Sequence, residues 1–96
     1  EDFEDKFISI EGHTDNVPMN SPRYPSNWEL SVGRSSNVVR FLVENNNMDP
    51  KRISASGYSE YHPVAPNDNA ENRAKNRRVD ILILKTIHYK DSSKNQ

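Results

Sequence analysis

Phe7-Ile8-Ser9-Ile10-Glu11, closed by Gly12, is the stretch on which the fold turns. Its residues alternate, with Ile8 and Ile10 to one side and Ser9 and Glu11 to the other, the pattern of a strand with one covered face. The residues beyond Gly12 decide how that strand connects. Residues 13–27 carry Pro18, Pro22 and Pro25 among Asn and Ser, a spacing that no helix or inner strand survives. This is a long loop, and long loops in compact domains are often functional. Ser26-Asn27-Trp28-Glu29 then reads as a capping box, with Ser26 as N-cap. The helix it opens runs to about Glu44, with Leu30, Val38, Phe41 and Leu42 at helical spacing toward a core. Asn45-Asn46-Asn47 stops it, because Asn tolerates the left-handed conformation at a helix end.

A second short strand spans residues 52–57, followed by a Pro-containing loop over 58–68. Asp68-Asn69-Ala70-Glu71 is a second capping box and opens a short helix to about Asn76. Residues 79–84, Val-Asp-Ile-Leu-Ile-Leu, are the strongest strand, and their apolar density predicts a central or well-covered position. The order is βαβαβ, and the first βαβ unit is expected to be a right-handed parallel crossover. The fold class is therefore an α/β two-layer sandwich of the α+β type, with a small mixed sheet and two main helices. Residues 1–6 read as a charged leader, 7–86 as the domain, and 87–96 as a polar, disordered tail.

Composition narrows the function. The 96 residues suffice for one domain. With 13 basic and 14 acidic side chains the formal net charge is -1, which argues against a dedicated nucleic-acid binder. No apolar run approaches the roughly 18 residues of a membrane helix. The absence of Met at the start and of a signal peptide reads as an excised piece of something longer. The chain has no cysteine, which removes disulfides, thiolate zinc sites and thiol nucleophiles together.

Asp15 lies just past the first strand and Arg34 lies one to two turns into the first helix, so βαβ geometry can bring them to one edge of the domain. Such a pair is either a structural ion pair, worth roughly 0–1 kcal/mol if exposed, or a zwitterion receptor. In the second reading the carboxylate takes an ammonium and the guanidinium takes a carboxylate through a two-toothed fork. The free N–H groups of the helix start favour an anion there. Arg73-Ala74-Lys75-Asn76-Arg77-Arg78 packs four cations into six positions. It is a solvated helix end, a nucleic-acid contact, or a second anion clamp in which Arg77 or Arg78 reaches the edge that holds Asp15. His13 and Asp15 form a two-ligand metal pattern with no third member, and no nucleophile elbow marks a hydrolase. Trp28 reads as an anchor between helix and loop, and Gly33 as a point of close packing inside the helix.

Ile10-Glu-Gly-His-Thr-Asp-Asn-Val-Pro18, Tyr24-Pro-Ser-Asn-Trp-Glu-Leu-Ser31, Arg34, Gly57-Tyr-Ser-Glu60 with Pro63, and Asn72-Arg-Ala-Lys-Asn-Arg-Arg-Val79 occur in this order. In that order and spacing they resemble the OmpA-like peptidoglycan-binding family over about residues 6–85. Within it the Pro-rich loop and the segment after it are most similar to MotB-type flagellar stator subunits, a group that includes sodium-driven relatives. The resemblance implies a non-covalent, non-enzymatic anchor to the cell wall. It would hold a stator still, so that ion-driven torque acts on the rotor. The ligand implied is the peptide stem of peptidoglycan, commonly its diaminopimelate residue.

Carried onto this sequence, the family's key aspartate and arginine match Asp15 and Arg34. Its Asn before the helix matches Asn27, the Leu three residues later Leu30, and the first Arg of Asn-Arg-Arg Arg77, with Thr14 adjacent as a hydrogen-bond donor. Asp15 would hold the ammonium of diaminopimelate and Arg34 its carboxylate. Ser59 stands where the family often has Gly, Ser35 where it has Ala, and Asn72 where it has Gly. The resemblance implies no cofactor, no metal and no nucleic acid. It implies a homodimer, a membrane-embedded ion-channel partner subunit, and an extracytoplasmic location on the cell-wall side of the membrane. The alternatives are a wall anchor of an outer-membrane protein or lipoprotein and, from another class, a peptidoglycan hydrolase using Asp15 or Glu60.

Overall fold

The computed structural model of the chain describes residues 6–85. Strand β1 is Lys6–His13, helix α1 Asn27–Asn45, β2 Ile53–Gly57, α2 Ala70–Asn76 and β3 Arg78–Lys85, with a 3-10 turn Pro50–Arg52 before β2. The expected βαβαβ order holds. β1 begins one residue earlier than the alternation suggested. Of the leader reading for residues 1–6, Lys6 is the first residue of β1 and residues 1–5 lie outside the described residues, as does the tail reading for 87–96.

The sheet is mixed, in the order β2-β1-β3. β1 and β2 are parallel, with Ile8 opposite Ile53 and Gly12 opposite Gly57. β1 and β3 are antiparallel, with Ile10 opposite Ile81 and Glu11 opposite Asp80. The expectation that residues 79–84 form a central or well-covered strand is therefore wrong: β1 is central and β3 flanks it. α1 packs across β1 and β2, and Ile81, Ile83 and Leu84 of β3 stay about half exposed. Apolar density reports the capacity of a strand to be covered, not its place in the sheet.

α1 lies so close to the sheet that side chains are excluded between them. A Cβ at Gly12 would run into the backbone carbonyl of Ser31, and one at Gly57 into the Ser31 hydroxyl and Val32. Ser31 and Ser35, both fully buried, form the helix's side of this contact. Each hydroxyl is satisfied: Ser31 Oγ donates to Trp28 O at 3.0 Å, and Ser35 Oγ to Val32 O at 3.0 Å. Val38 and Leu42 continue that row at three- and four-residue steps and are half-buried. Phe41 is rotated off the row and exposed, so its assignment to the core is corrected. Among the described residues the buried aliphatic core is just Ile8 and Ile10, and most of the buried side chains are polar and gather near the end of β1.

The caps explain where α1 starts and stops. Ser26 Oγ accepts from Trp28 N–H and donates to the Glu29 carboxylate. At the other end Asn46 and Met48 N–H both reach Leu42 O, and Asn47 takes φ 58°, the left-handed turn expected of the Asn run. The second capping box is displaced by one residue. Asn69, not Asp68, caps α2 by accepting from Asn72 N–H at 2.7 Å, while Asp68 accepts from the Asn72 side chain.

Candidate functional site

At the C-terminal end of β1 and the N-terminal end of α1 lies a cavity of about 300 Å³. Its lining includes Thr14, Asp15, Asn27, Leu30, Arg34 and Arg77, together with Val17, Pro18 and Met19 of the Pro-rich loop. All six residues singled out from the sequence thus meet in one place, although they come from the β1 exit, α1 and the α2–β3 junction.

Asp15 is the centre of the polar network. One carboxylate oxygen accepts from Val17 N–H at 3.0 Å, which bends the chain out of β1. The other accepts from Arg77 Nη1 at 2.7 Å. Asp15 is buried, at 6% exposure, so the value given for an exposed ion pair does not apply to it. One expectation is corrected here: its ionic partner is Arg77, not Arg34. Arg77 follows α2 directly as its C-cap, with its own N–H on Arg73 O, and this turn aims its side chain back across the sheet end. Arg34 lines the same cavity yet makes no ion pair or hydrogen bond among the described residues. Arg78 does not join them. Its guanidinium holds both oxygens of Asp80 at 3.1 Å and the carbonyl of His62 at 3.0 Å.

Asn27 is a clamp. Its Nδ2 donates to Val17 O at 3.0 Å and to Asp15 O at 3.4 Å, tying the loop to the first residue of α1. The Thr14 hydroxyl donates to Asp15 O at 2.8 Å, so its hydrogen is already used within the chain. Thr14 N–H donates to Ser59 O, and Ser59 N–H to Ser31 Oγ, which joins both loops to the helix. Ser59 sits at φ 57°, in the region where glycine is at ease, which accounts physically for a Gly-preferring position. Farther along the Pro-rich loop the Tyr24 ring lies on Gly33, where a Cβ would come within 2.9 Å of Cε1. Trp28 leans on Tyr61 of the 58–69 loop at 5.6 Å between ring centroids, a half-exposed anchor of the kind the sequence suggested.

Asn76 was missed as a site residue, although it lies inside a quoted motif. Fully buried, it accepts from Val64 and Ala65 N–H at 2.8 and 3.1 Å and donates to Ala65 O and Asn67 Oδ1 at 2.9 and 2.8 Å. It fixes the loop before α2 and, as the residue before Arg77, the height at which that guanidinium leaves the helix. An Asn between cations near a helix end was the only sequence signal.

His13 and Asp15 do not form a pair. The His13 ring turns to Glu11 and Asp80, 4.0 and 3.5 Å from Nε2, and stacks on Tyr58, which in turn contacts His62. Burial holds the His13 pKa below the ordinary value of 6.5, with the Arg78 guanidinium adding to the effect and His62 slightly; Asp80 and Glu11 oppose it. The folded chain therefore resists a proton that the unfolded chain takes up. Stability from this group is complete above about pH 6.5 and declines as pH falls from there toward the folded pKa. The expected result is a urea midpoint that drops between pH 6.5 and 5, with an NMR midpoint for the His13 ring below 6.5; a midpoint above 6.5 contradicts it.

The chemistry on offer is a carboxylate, a guanidinium already bonded to it, a second guanidinium whose donors are unused among the described residues, and the start of a helix. That set suits a ligand with both an ammonium and a carboxylate. Comparison with known proteins agrees with the fold. The OmpA family model matches residues 1–77. Motility protein B of Bacillus subtilis is 54% identical over 77 residues, 80% of this chain and 30% of that protein. The C-terminal domain of Helicobacter pylori MotB superposes with a TM-score of 0.78 at 35% identity, over 95% of this chain and 67% of that one. The cell wall anchor of the T6SS from Pseudomonas aeruginosa gives 0.77 at 42% identity, over 83% of this chain and 55% of that one. The chain thus spans about a third of the length of such curated relatives. No helix among the described residues is long and apolar enough to cross a membrane. A mixed three-stranded sheet with two helices, matched in sequence and in structure, places the chain in the OmpA family, on its MotB-like branch, as a structural domain rather than an enzyme.

Proposed function

We propose that this domain binds the peptide stem of peptidoglycan non-covalently and so anchors a flagellar motor stator to the cell wall. The observation that carries the reading is Arg34, a guanidinium in the cavity wall with no partner among the described residues, facing a site whose carboxylate is already held in place. A diaminopimelate side chain ends in an amino-acid head group. Asp15 takes its ammonium on the lone pairs that Val17 and Arg77 leave open. Arg34 takes its carboxylate by the fork, and Arg77, half-exposed beside it, adds positive potential. The start of α1 reinforces the anion side. Leu30 and the loop residues Val17 to Met19 supply the apolar wall for the methylene stem.

The wider setting belongs to the same proposal. The full-length protein sits in the cell membrane with an ion-channel partner, this domain faces the wall, and two copies share the load, which multiplies a modest single-site affinity. A wall anchor of another assembly is the second reading, favoured by the likeness to the T6SS anchor, and it uses the same cavity.

An NMR titration with a diaminopimelate stem peptide, and a lysine-containing one as control, tests the site. Shifts at Asp15, Asn27, Arg34 and Arg77 are expected with the first peptide alone, because lysine leaves Arg34 without a fork partner. Arg34→Lys is expected to weaken binding by about tenfold or more, since an ammonium cannot present the planar fork. Equal binding of both peptides, or full binding by Arg34→Lys, refutes the fork.

A further inference from the structure

On the face of the sheet turned away from α1 is a cluster that the wall-binding reading does not use. The missing Cβ atoms of Gly12 and Gly57 point at the helix, so Glu11 and His13, one residue to either side of Gly12, point the other way. Asp80 is the direct cross-strand partner of Glu11. Two carboxylates placed opposite each other repel, and such a pair is destabilising unless something compensates it. Arg78 offsets part of that charge through Asp80. Between the carboxylates sits the His13 ring, 2% exposed, with neither ring nitrogen hydrogen-bonded. A buried imidazole with no partner calls for an explanation, since buried polar groups are nearly always paired.

We propose that Glu11, His13 and Asp80 form a binding site for a divalent transition-metal ion of the Zn²⁺ class. One ligand atom from each residue lies within 4.8 Å of the other two. Ligand atoms on a tetrahedral zinc stand about 3.4 Å apart, given metal–ligand bonds of about 2.1 Å. Nε2 of His13 and Oδ2 of Asp80 are already 3.5 Å apart. Glu11 Oε1, at 4.0 Å from Nε2, closes by a small turn of a side chain that is 21% exposed. Asp80 can give Oδ2 to the metal and keep Oδ1 on Arg78, which then serves to orient a ligating carboxylate. One nitrogen with two oxygens suits a borderline ion better than a hard one. Three protein ligands leave a fourth position to solvent. The metal would tie β1 to β3 at the ends that carry Asp15 and Arg77.

The test uses the untagged 96-residue chain, stripped with chelator and titrated with ZnCl₂, with MgCl₂ as the hard-ion control. One equivalent of Zn²⁺ is expected to bind, raise the melting temperature and shift the His13 Nε2 resonance, while Mg²⁺ does none of these. Glu11→Gln and Asp80→Asn, nearly isosteric and checked for folding by circular dichroism, are each expected to weaken Zn²⁺ binding at least about tenfold. His88→Ala is expected to leave it unchanged. No shift of the His13 resonance at millimolar Zn²⁺ would overturn the proposal, and so would binding that both carboxylate variants retain or that His88→Ala removes.

Discussion

Asp15→Asn is expected to abolish capture of the domain by purified sacculi while leaving a folded protein. Asn keeps the side-chain oxygen that accepts from Val17 N–H, so the exit from β1 survives. It loses the charge that would hold a ligand ammonium in a buried setting. Truncating one partner of such a buried charge pair costs about 2–5 kcal/mol of binding, or a factor of about thirty upward. The cost to folding is smaller, because the lost Arg77 pair involves a guanidinium that is 48% exposed and free to hydrate. Asn is the informative substitution. Ala would also remove the turn, and with Asp15 buried a folding defect would obscure the binding result. Sacculus pull-down with a thermal melt on the same sample decides the matter. Wild-type capture by a folded Asp15→Asn domain sinks the receptor reading, and unfolding of that variant makes Asp15 a structural residue.

Asn76→Ala is expected to be among the most destabilising single changes outside the sheet, at about 4 kcal/mol. Four hydrogen bonds disappear at once, each worth about 1 kcal/mol net. The cost rises further where the N–H groups of Val64 and Ala65 are left without an acceptor. Asn76→Asp is the discriminating companion. It keeps both acceptor bonds but places a carboxylate against Ala65 O and Asn67 Oδ1, so it should recover only part of the loss. Urea unfolding of the three chains measures the order wild type, Asp, Ala. An Ala variant within about 1 kcal/mol of wild type would mean that the 58–69 loop holds its shape without this residue.

These two residues mark the boundary of what the sequence makes legible. β1, both ends of α1, and the five-element order could be read, because each rests on neighbours a few positions apart. Alternation in residues 7–11, the Ser26–Glu29 box and the left-handed Asn47 are local signals. The approach of Asp15 and Arg34 to one edge followed from βαβ connectivity, Asn27 and Leu30 were implied by the family resemblance alone, and Arg77 by the resemblance and as one of three readings of the basic run. Sheet order was not legible, since nothing in residues 79–84 says whether that strand lies beside β1 or in the centre. The Asp15–Arg77 bond, 62 positions apart in sequence, depends on where α2 ends against the sheet. The Glu11, His13 and Asp80 cluster likewise appears only once the β1–β3 register is fixed, because that register brings Asp80 across from Glu11. Phe41 failed for a different reason. A stripe at helical spacing is wider than the contact that α1 makes when serines and glycines bring it close.

The central place of β1 has a mechanical consequence. Asp15 leaves the end of this strand directly, so a pull on a ligand held there enters the domain along the strand axis. β1 is flanked on both edges by hydrogen-bonded neighbours, one parallel and one antiparallel. Those bonds run across the direction of pull and are stretched together, in shear, instead of being peeled one after another. In the proposed anchor, the flanking strands and the helix packed against Gly12 and Gly57 then share that tension with β1.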